Sequence, residues 1–348
     1  MVNQNTDFFQ IADNFKEHIN TPSFAIIAST VISDSKITVA ITTYKRPDLL
    51  KISLDSVVNQ AGNFSYDIVV VDDDPTRETE TEKLMESYRG VAGLSYYKNK
   101  QNLGLFGNWN RCIELTKSEY LTILNDDDWL DLHYLNRVIA FIRAKPATDL
   151  LLVGIEVMKE GKTLTPPDFK YKKKIDKIFF IEFLYGNINP GSLGILLKTD
   201  MAKKIGGFNN LFFPTSDVVF LINYLATAKH AYRTSEKLAY YRLSVNESFK
   251  TSVQVSNIKY DKILRSQLMR KIPSLKFIIK LALPVFDYYQ FERVCDYSAE
   301  FNTLYSSEKI PLKQKIKGIN RLAYYFLLVV RRVSLKLASI FITGVKKV

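Results

Sequence analysis

Two aspartate triplets carry most of the chemistry open to this chain. Asp72-Asp73-Asp74 closes the run Ile-Val-Val-Val, and Asp126-Asp127-Asp128 closes Leu-Thr-Ile-Leu-Asn. Three adjacent carboxylates repel one another unless solvated or complexed by a cation. Each triplet ends a short apolar run of the kind that forms a strand, and in open α/β sheets ligands bind outside the carboxyl ends of strands. Oxygen ligands placed there suit Mg²⁺ or Mn²⁺, which take one or two carboxylates and complete their shell with phosphate oxygens and water. One Asp-rich stretch alone is equally an acidic turn or a helix cap. Two of them at strand ends, in a chain without Gly-rich phosphate loops, point to a metal–diphosphate site.

Composition narrows the choice further. The chain has 348 residues, of which 47% are hydrophobic, enough for a sizeable core. Two cysteines (Cys112, Cys295) and three scattered histidines (His18, His133, His230) exclude a disulfide framework and a zinc site of their own. Any metal must therefore be held by carboxylates. The net charge of +12 is not uniform: residues 1–249 carry 29 Lys/Arg against 30 Asp/Glu, whereas residues 250–348 carry 19 against 6. A basic tail on a neutral body points to surface docking, and no nucleic-acid reader motif accompanies it.

The elements that would position the triplets alternate strand and helix. Strands are expected over Ile37–Thr42, Asp67–Asp72, Leu94–Lys98, Tyr120–Leu124, Leu150–Val157, Ile195–Lys198 and Leu238–Leu243. Between them, helices are expected after Pro47 and over Glu78–Tyr88, Phe106–Lys117, Leu132–Ala144 and Thr215–Ala228. The continuous apolar character of Asp67–Asp72 fits a strand buried on both faces of a parallel sheet. The fold class is thus α/β, a mostly parallel central sheet flanked by helices. Residues 159–177 read as an exposed loop or small hairpin, and beyond Lys250 basic helical patterns replace strands. This gives an N-terminal extension over 1–36, a catalytic domain over 37–248, and a basic helical region over 249–348.

The segments ITTYKRPDLLKISLDSVVNQ, YDIVVVDDDP and NKQNLGLFGNWNRCIELTKSEYLTILNDDDWL resemble the N-terminal half of the family 2 glycosyltransferases of the GT-A fold. The match in order and spacing covers residues 37–132 and continues more weakly to about 248. The resemblance implies a role for each matching residue. Thr42, Thr43 and Tyr44 line a base and ribose pocket, with Arg46 near the phosphates. Asp73, or its neighbour Asp72, accepts a hydrogen bond from the nucleobase, uracil being favoured. Asn102 and Gly104 cover the nucleotide, whereas Asn108, Asn110 and Arg111 match a family segment only loosely. Asn125 stands where many members have Asp, which shifts the ribose contact to Asp126 and leaves Asp127 as ligand to Mg²⁺ or Mn²⁺. Asp217, after Gly206-Gly207-Phe208, matches the family's catalytic base; read without the resemblance, Thr215-Ser216-Asp217 is a helix cap. Tyr241-Arg242 lacks the histidine that follows it in many members, and Arg242 is a phosphate candidate.

The implied activity is inverting transfer of a sugar from a nucleotide-diphosphate sugar, UDP-linked by preference, to a glycan or lipid-linked acceptor in cell-surface polysaccharide synthesis. A second reading takes Asp72-Asp73-Asp74-Pro75-Thr76 as a haloacid-dehalogenase-type phosphatase motif with Asp72 as nucleophile. It leaves the Thr-Tyr turn, the Asn-x-Gly segment and Asp217 without a role. A third is a non-catalytic basic protein that binds membrane or nucleic acid.

Residues 316–345 set Ile319, Leu322, Ala323, Phe326, Leu327 and Val330 at helical spacing, with Arg321, Arg332 and Lys336 elsewhere on the wheel. Such a helix suits an anionic membrane interface or, alternatively, packs on the protein with a solvated basic face. The N-terminus lacks a secretory pattern and no apolar run approaches the ~20 residues needed to span a bilayer. The expected location is the cytoplasm, at the inner face of the cell membrane.

Overall fold

The computed structural model describes residues 7–29, 35–159, 174–178, 180–189, 191–243 and 250–329. Most of the expected 159–177 loop and the tail beyond residue 329 lie outside these. The chain forms two compact units. One comprises the described residues of 11–178 and 189–244, the other those of 1–10, 179–188 and 245–348.

The first unit is built on a ten-stranded sheet. Its strands are β1 (Ser23–Ile27), β2 (Ile37–Thr43), β3 (Asp67–Asp72), β4 (Leu94–Asn99), β5 (Tyr120–Asn125), β6 (Trp129–Leu130), β7 (Leu150–Lys159), β8 (Ile175–Lys177), β9 (Ile195–Lys198) and β10 (Ala231–Leu243). The order across the sheet is β1-β4-β3-β2-β5-β9-β7-β10-β6, with β8 also on β10. β4, β3, β2 and β5 pair in parallel, as do β7 and β10, while β9 runs antiparallel between β5 and β7. Six strands therefore point the same way, and the mostly parallel α/β sheet expected from the sequence is the one observed. All seven residues of β2 are buried, as its central place requires.

Helices α1 (Pro47–Val58), α2 (Glu80–Glu86), α3 (Gly104–Leu115), α4 (Tyr134–Ala144), α5 (Thr199–Lys204) and α6 (Ser216–Thr227) complete this unit. Pro47 opens α1, where its missing N–H costs nothing, and Leu50, Leu54 and Val57 turn one face into the core. The described residues of the N-terminal extension from 11 onward are part of this unit, whereas 7–10 belong to the other. β1 adds an antiparallel edge to β4, and Arg111 of α3 donates to the carbonyls of His18 and Thr21 at 3.3 and 2.6 Å.

Register sets the site. Thr43 lies across from Asp72 and Thr42 from Asn125. The ladder runs one residue further on each side, because Asp73 N–H donates to the Thr43 carbonyl at 2.9 Å and Asp126 N–H to that of Thr42 at 3.1 Å. Both triplets thereby begin at the same edge of the sheet, one strand apart.

The second unit is helical: α7 (Thr251–Lys271), α8 (Lys276–Tyr297), α9 (Ala299–Tyr305), α10 (Lys309–Gln314) and a further helix from residue 318 to 329, with a 3-10 turn at Phe180–Tyr185. Buried Arg265 is its polar hub, donating to Asp287 at 3.0 Å, Gln290 at 2.9 Å and the Leu184 carbonyl at 3.2 Å. The helix from 318 to 329 has two apolar faces. Ala323 and Leu327 are buried and Tyr324 packs edge-on to Phe286 at 5.1 Å, whereas Ile319, Leu322, Tyr325, Phe326 and Val329 are exposed. Among the described residues, no helix is long and apolar enough to cross a membrane.

Lys98 shows how closely sheet and site are joined. It lies across from Asp72 in the β3–β4 register, and its buried ammonium contacts Asp72 at 2.8 Å and Glu82 at 3.4 Å. Removing one member of a buried pair strands the other charge, at a cost of about 3–5 kcal/mol. Lys98→Ala is therefore expected to destabilise by about that amount in urea unfolding, and adding Asp72→Asn should restore part of the loss. A loss below about 1 kcal/mol would show that the pair does not carry this edge.

Candidate active site

Asp72 has no exposed surface. Its carboxylate accepts from Tyr96 Oη at 2.7 Å, Lys98 Nζ at 2.8 Å and the Asp74 N–H at 2.9 Å. Enclosed in this way it cannot attack a phosphate, which removes the phosphatase reading. Of the pair named for base contact, Asp72 thus presents no surface, and Asp73 is 3% exposed.

Asp73 organises the Asn-x-Gly segment. Its Oδ1 accepts from Asn99 Nδ2 and the Leu103 N–H, both at 2.8 Å, and its Oδ2 accepts the Gly104 N–H at 2.9 Å. These backbone donors open α3, where a carboxylate is favoured by the unsatisfied N–H groups and the helix dipole. Desolvation nevertheless raises the Asp73 pKa, with the three hydrogen bonds opposing it. Gly104 has φ +72° with open space around its Cβ position, so glycine is needed there for backbone conformation and not for room. Asn102 closes the turn, donating to the Asp73 carbonyl at 3.2 Å and accepting the Gly104 N–H at 3.1 Å.

On the other side of β2, Thr43, Tyr44, Arg46 and Asp126 form one cluster. Asp126 is buried, and its Oδ2 accepts from Thr43 Oγ1 at 2.8 Å, the Tyr44 N–H at 3.4 Å and Arg46 Nε at 3.3 Å. Arg46 Nη2 stands in ion-pair contact with the other oxygen, Oδ1, which accepts no hydrogen bond. Arg46 Nη1 meanwhile reaches Asp127 Oδ2 at 3.1 Å. Burial pushes the Asp126 pKa up to about 6 against the pull of Arg46. Asp127 has 16% of its side chain exposed and Asp126 none, so Asp127 is the more accessible of the two carboxylates. Among the described residues no group of three or more Asp, Glu, His or Cys side chains is placed to enclose a metal. The donor set fits Mg²⁺ or Mn²⁺ only as a composite site, in which Asp127 supplies one carboxylate and phosphate oxygens and water supply the rest.

Asn125 makes neutral use of the first motif position. Its Oδ1 accepts from Thr42 Oγ1 at 3.2 Å and from Trp109 Nε1 at 3.0 Å. Trp109, for which the sequence carries no site signal, leads on to Asp217. Its Cη2 lies 3.7 Å from where a Cβ on Gly191 would stand, and the Gly191 N–H donates to Asp217 Oδ2 at 3.2 Å. Thr215, not Asp217, occupies the cap position of α6, and its hydroxyl donates to the Phe212 carbonyl at 3.1 Å. Asn110 clasps the preceding segment, exchanging bonds with the backbone of Phe208 at 2.8 and 2.7 Å. Asn108 and Arg111 are structural as well, bonding to the Val71 carbonyl and the N-terminal turn. Arg242 donates through Nε to the Asp127 carbonyl at 3.0 Å, and its guanidinium stacks 4.9 Å over Trp129.

A mostly parallel sheet with acidic residues at its carboxyl edge, one of them bonded to an Asn-x-Gly turn, is an architecture of the GT-A class. Comparison with known proteins agrees. Residues 38–198 match the family model of glycosyl transferase family 2. The chain is 25% identical to an uncharacterized glycosyltransferase of Methanocaldococcus jannaschii over 232 residues, covering 65% of this chain and 76% of that one. It is 23% identical to an uncharacterized glycosyltransferase of Haemophilus influenzae over 208 residues, 59% of this chain and 67% of that one. Among solved structures, S. aureus TarS 1–349 superposes with a TM-score of 0.53 at 18% identity, covering 81% of this chain and 93% of that one. The same fragment in complex with UDP-GlcNAc gives 0.52 at 18%, covering 86% and 92%. Of a longer TarS structure the chain spans 55%. Residues 38–198 belong to glycosyl transferase family 2, and the protein is a glycosyltransferase. This displaces the reading as a non-catalytic basic protein.

Asp128 closes the second triplet inward. It is buried, accepts the Arg242 N–H at 3.1 Å, and desolvation, helped by the neighbouring Asp127 charge, pushes its pKa up to about 8 from 3.8. The folded protein therefore holds a proton there that the unfolded chain releases near pH 4, so native stability falls as pH rises from about 4 to about 8. Asp128→Asn keeps the acceptor and removes the charge. It should unfold at higher urea than the wild type, with a gain near zero at pH 4 that grows with pH to several kcal/mol, about 5 at most, at pH 8. A pH-independent difference would contradict this assignment.

Proposed function

We propose that the protein transfers a sugar from a nucleoside-diphosphate sugar, UDP-linked by preference, to a hydroxyl of a glycan or lipid-linked acceptor with inversion at the anomeric carbon. The observation that carries this is the shared edge of β2, β3 and β5, where Asp73, Arg46 and Asp127 stand within one hydrogen-bonded frame. Asp73 has two donors on Oδ1 and one on Oδ2, so Oδ2 retains an acceptor position for a nucleobase N–H. Thr42, Thr43 and Tyr44 flank the base and ribose, with Asp126 on the ribose side, while Asn102 and Gly104 close over the nucleotide. Arg46, half exposed, offers its guanidinium to the diphosphate. Mg²⁺ or Mn²⁺ at Asp127 supplies charge stabilisation of the departing diphosphate.

Asp217 is the base in this reading. The acceptor oxygen forms a bond to the anomeric carbon, its proton passes to the Asp217 carboxylate, and the bond between that carbon and the diphosphate oxygen breaks with its electron pair leaving on phosphate. The Gly191 N–H orients the carboxylate through Oδ2.

The exposed apolar face of the helix from 318 to 329, flanked by Lys315, Lys317 and Arg321, is the contact for an anionic membrane surface, the inner face of the cell membrane, where a lipid-linked acceptor resides. Cell-surface polysaccharide synthesis is the pathway that such an acceptor fits.

Thermal shift with UDP and GDP, each with and without Mn²⁺, tests the donor reading. Wild type should gain stability from nucleotide only with metal, by the mass-action increment of about 2.7 kcal/mol at a hundredfold excess over Kd. Asp127→Ala should lose that gain, whereas Asp217→Asn should keep it and lose sugar transfer. Metal-independent stabilisation of equal size would count against Asp127 as ligand.

For the membrane contact, the full chain should co-sediment with vesicles containing anionic lipid and much less with neutral ones. Leu322→Glu combined with Phe326→Glu should weaken this at least tenfold, since charge replaces two exposed apolar side chains that the interface would bury. Binding unaffected by that pair would reject this face as the contact.

A further inference from the structure

We infer that Arg46 is a built-in counter-cation that holds a divalent ion off Asp127 until a diphosphate arrives, so that metal and nucleotide bind as a coupled pair. This rests on the metal–diphosphate reading above and goes beyond it by fixing the order in which the charges assemble.

The geometry makes two unequal claims on one guanidinium. Nε donates to Oδ2 of Asp126, whose side chain is wholly buried, and Nη2 stands in ion-pair contact with its Oδ1, while Nη1 makes a single 3.1 Å contact with the more exposed Asp127. The first contact is the anchor. Pulling Arg46 away would strand a buried carboxylate, the costliest outcome for an ion pair of this kind. The backbone limits movement as well. Lys45 is held at φ +56°, an uncommon conformation for a residue with a side chain, and Arg46 follows it at the cap position of α1.

A free dication that approaches Asp127 therefore meets a fixed positive charge already bonded to the same carboxylate oxygen. It finds no ring of further acids to outweigh that charge, since the described residues hold no such cluster. A diphosphate changes both terms at once. Its oxygens complete the coordination of the ion, and they accept Nη1 when it turns from Asp127, with Nε and Nη2 still on Asp126. Arg46 thus opposes metal binding when the nucleotide is absent and favours it when the nucleotide is present.

Opposite signs from one residue make the idea testable. Mn²⁺ binding to the full chain is measured by electron paramagnetic resonance of the free ion, with and without saturating UDP and corrected for Mn²⁺–UDP complexes in free solution. For wild type, UDP should tighten Mn²⁺ binding within the usual coupling range of about 5- to 150-fold. Arg46→Gln should bind Mn²⁺ alone more tightly than wild type, by about tenfold, while the effect of UDP shrinks toward unity. Arg46→Lys keeps the charge without the fork and should fall between the two, which guards against a folding defect in the glutamine variant. Equal Mn²⁺ affinity in wild type and Arg46→Gln without UDP would overturn the inference even where UDP still promotes binding in both. Absence of Mn²⁺ binding in every variant, with UDP present, would overturn the metal–diphosphate reading itself.

Discussion

Six carboxylates at the ends of two strands that flank β2 impose the constraint on which this site depends. Each must be neutralised separately, because an ionised acid withdrawn from water without a partner costs more than most single contacts return. The fold meets this with four different devices. Lys98 compensates Asp72 through the sheet register, and the opening N–H groups of α3 compensate Asp73. The Thr76 N–H donates to Asp74 within a tight turn, and the fork of Arg46 compensates Asp126. Asp128 is instead pushed toward its protonated form. What remains is Asp127, part exposed and held by one guanidinium nitrogen. The carboxylate left open to a ligand is thus the residue of a charge-balancing problem that the surrounding structure has otherwise solved.

Those devices also explain why the local chain takes the path it does. The Asn-x-Gly segment folds back because Asp73 offers two oxygens to its backbone, and Gly104 supplies the positive φ that the turn demands. The turn after β2 is tight because Thr43, Tyr44 and Arg46 all converge on Asp126. Positive charge at the site is scarce and specific, in contrast to the C-terminal region, where it is abundant. The +12 of the whole chain therefore says little about the catalytic unit.

Legibility in the sequence followed the locality of the signal. β2 to β5 are legible because each is a short apolar run between clear helix starts, and the triplets mark their ends. β1 is not, because Ser-Phe-Ala-Ile-Ile becomes a strand only through pairing with β4, with a register shift after Ala25. The first half of β10, Tyr-Arg-Thr-Ser-Glu-Lys, reads as polar surface and is a strand because β7 lies beside it. The cluster of Thr43, Arg46, Asp126 and Asp127 was legible from motif spacing as residues brought together after β2 and β5. The enclosure of Asp72 was not, since it depends on Tyr96 and Lys98 from the neighbouring strand. Trp109 gave no signal at all. An aromatic within a helix is core by default, and what distinguishes this one is contact with Asn125 and Gly191, which only the fold brings near.

The neutral residue at the head of the second triplet then has a physical reason. A carboxylate at position 125 would add a negative charge beside Asp126, Asp127 and Asp128, with Arg46 already shared between two of them. An amide oxygen satisfies Thr42 and the Trp109 indole equally well and adds no charge. It also fixes Trp109, whose ring lies against Gly191, and the Gly191 N–H holds Asp217. Asn125 therefore relieves repulsion on the metal side of the site and, through two packed neighbours, steadies the carboxylate on its other side. A substitution that looks like a weakened metal motif in the sequence is, in the structure, a packed link from the second triplet through Trp109 and Gly191 to Asp217.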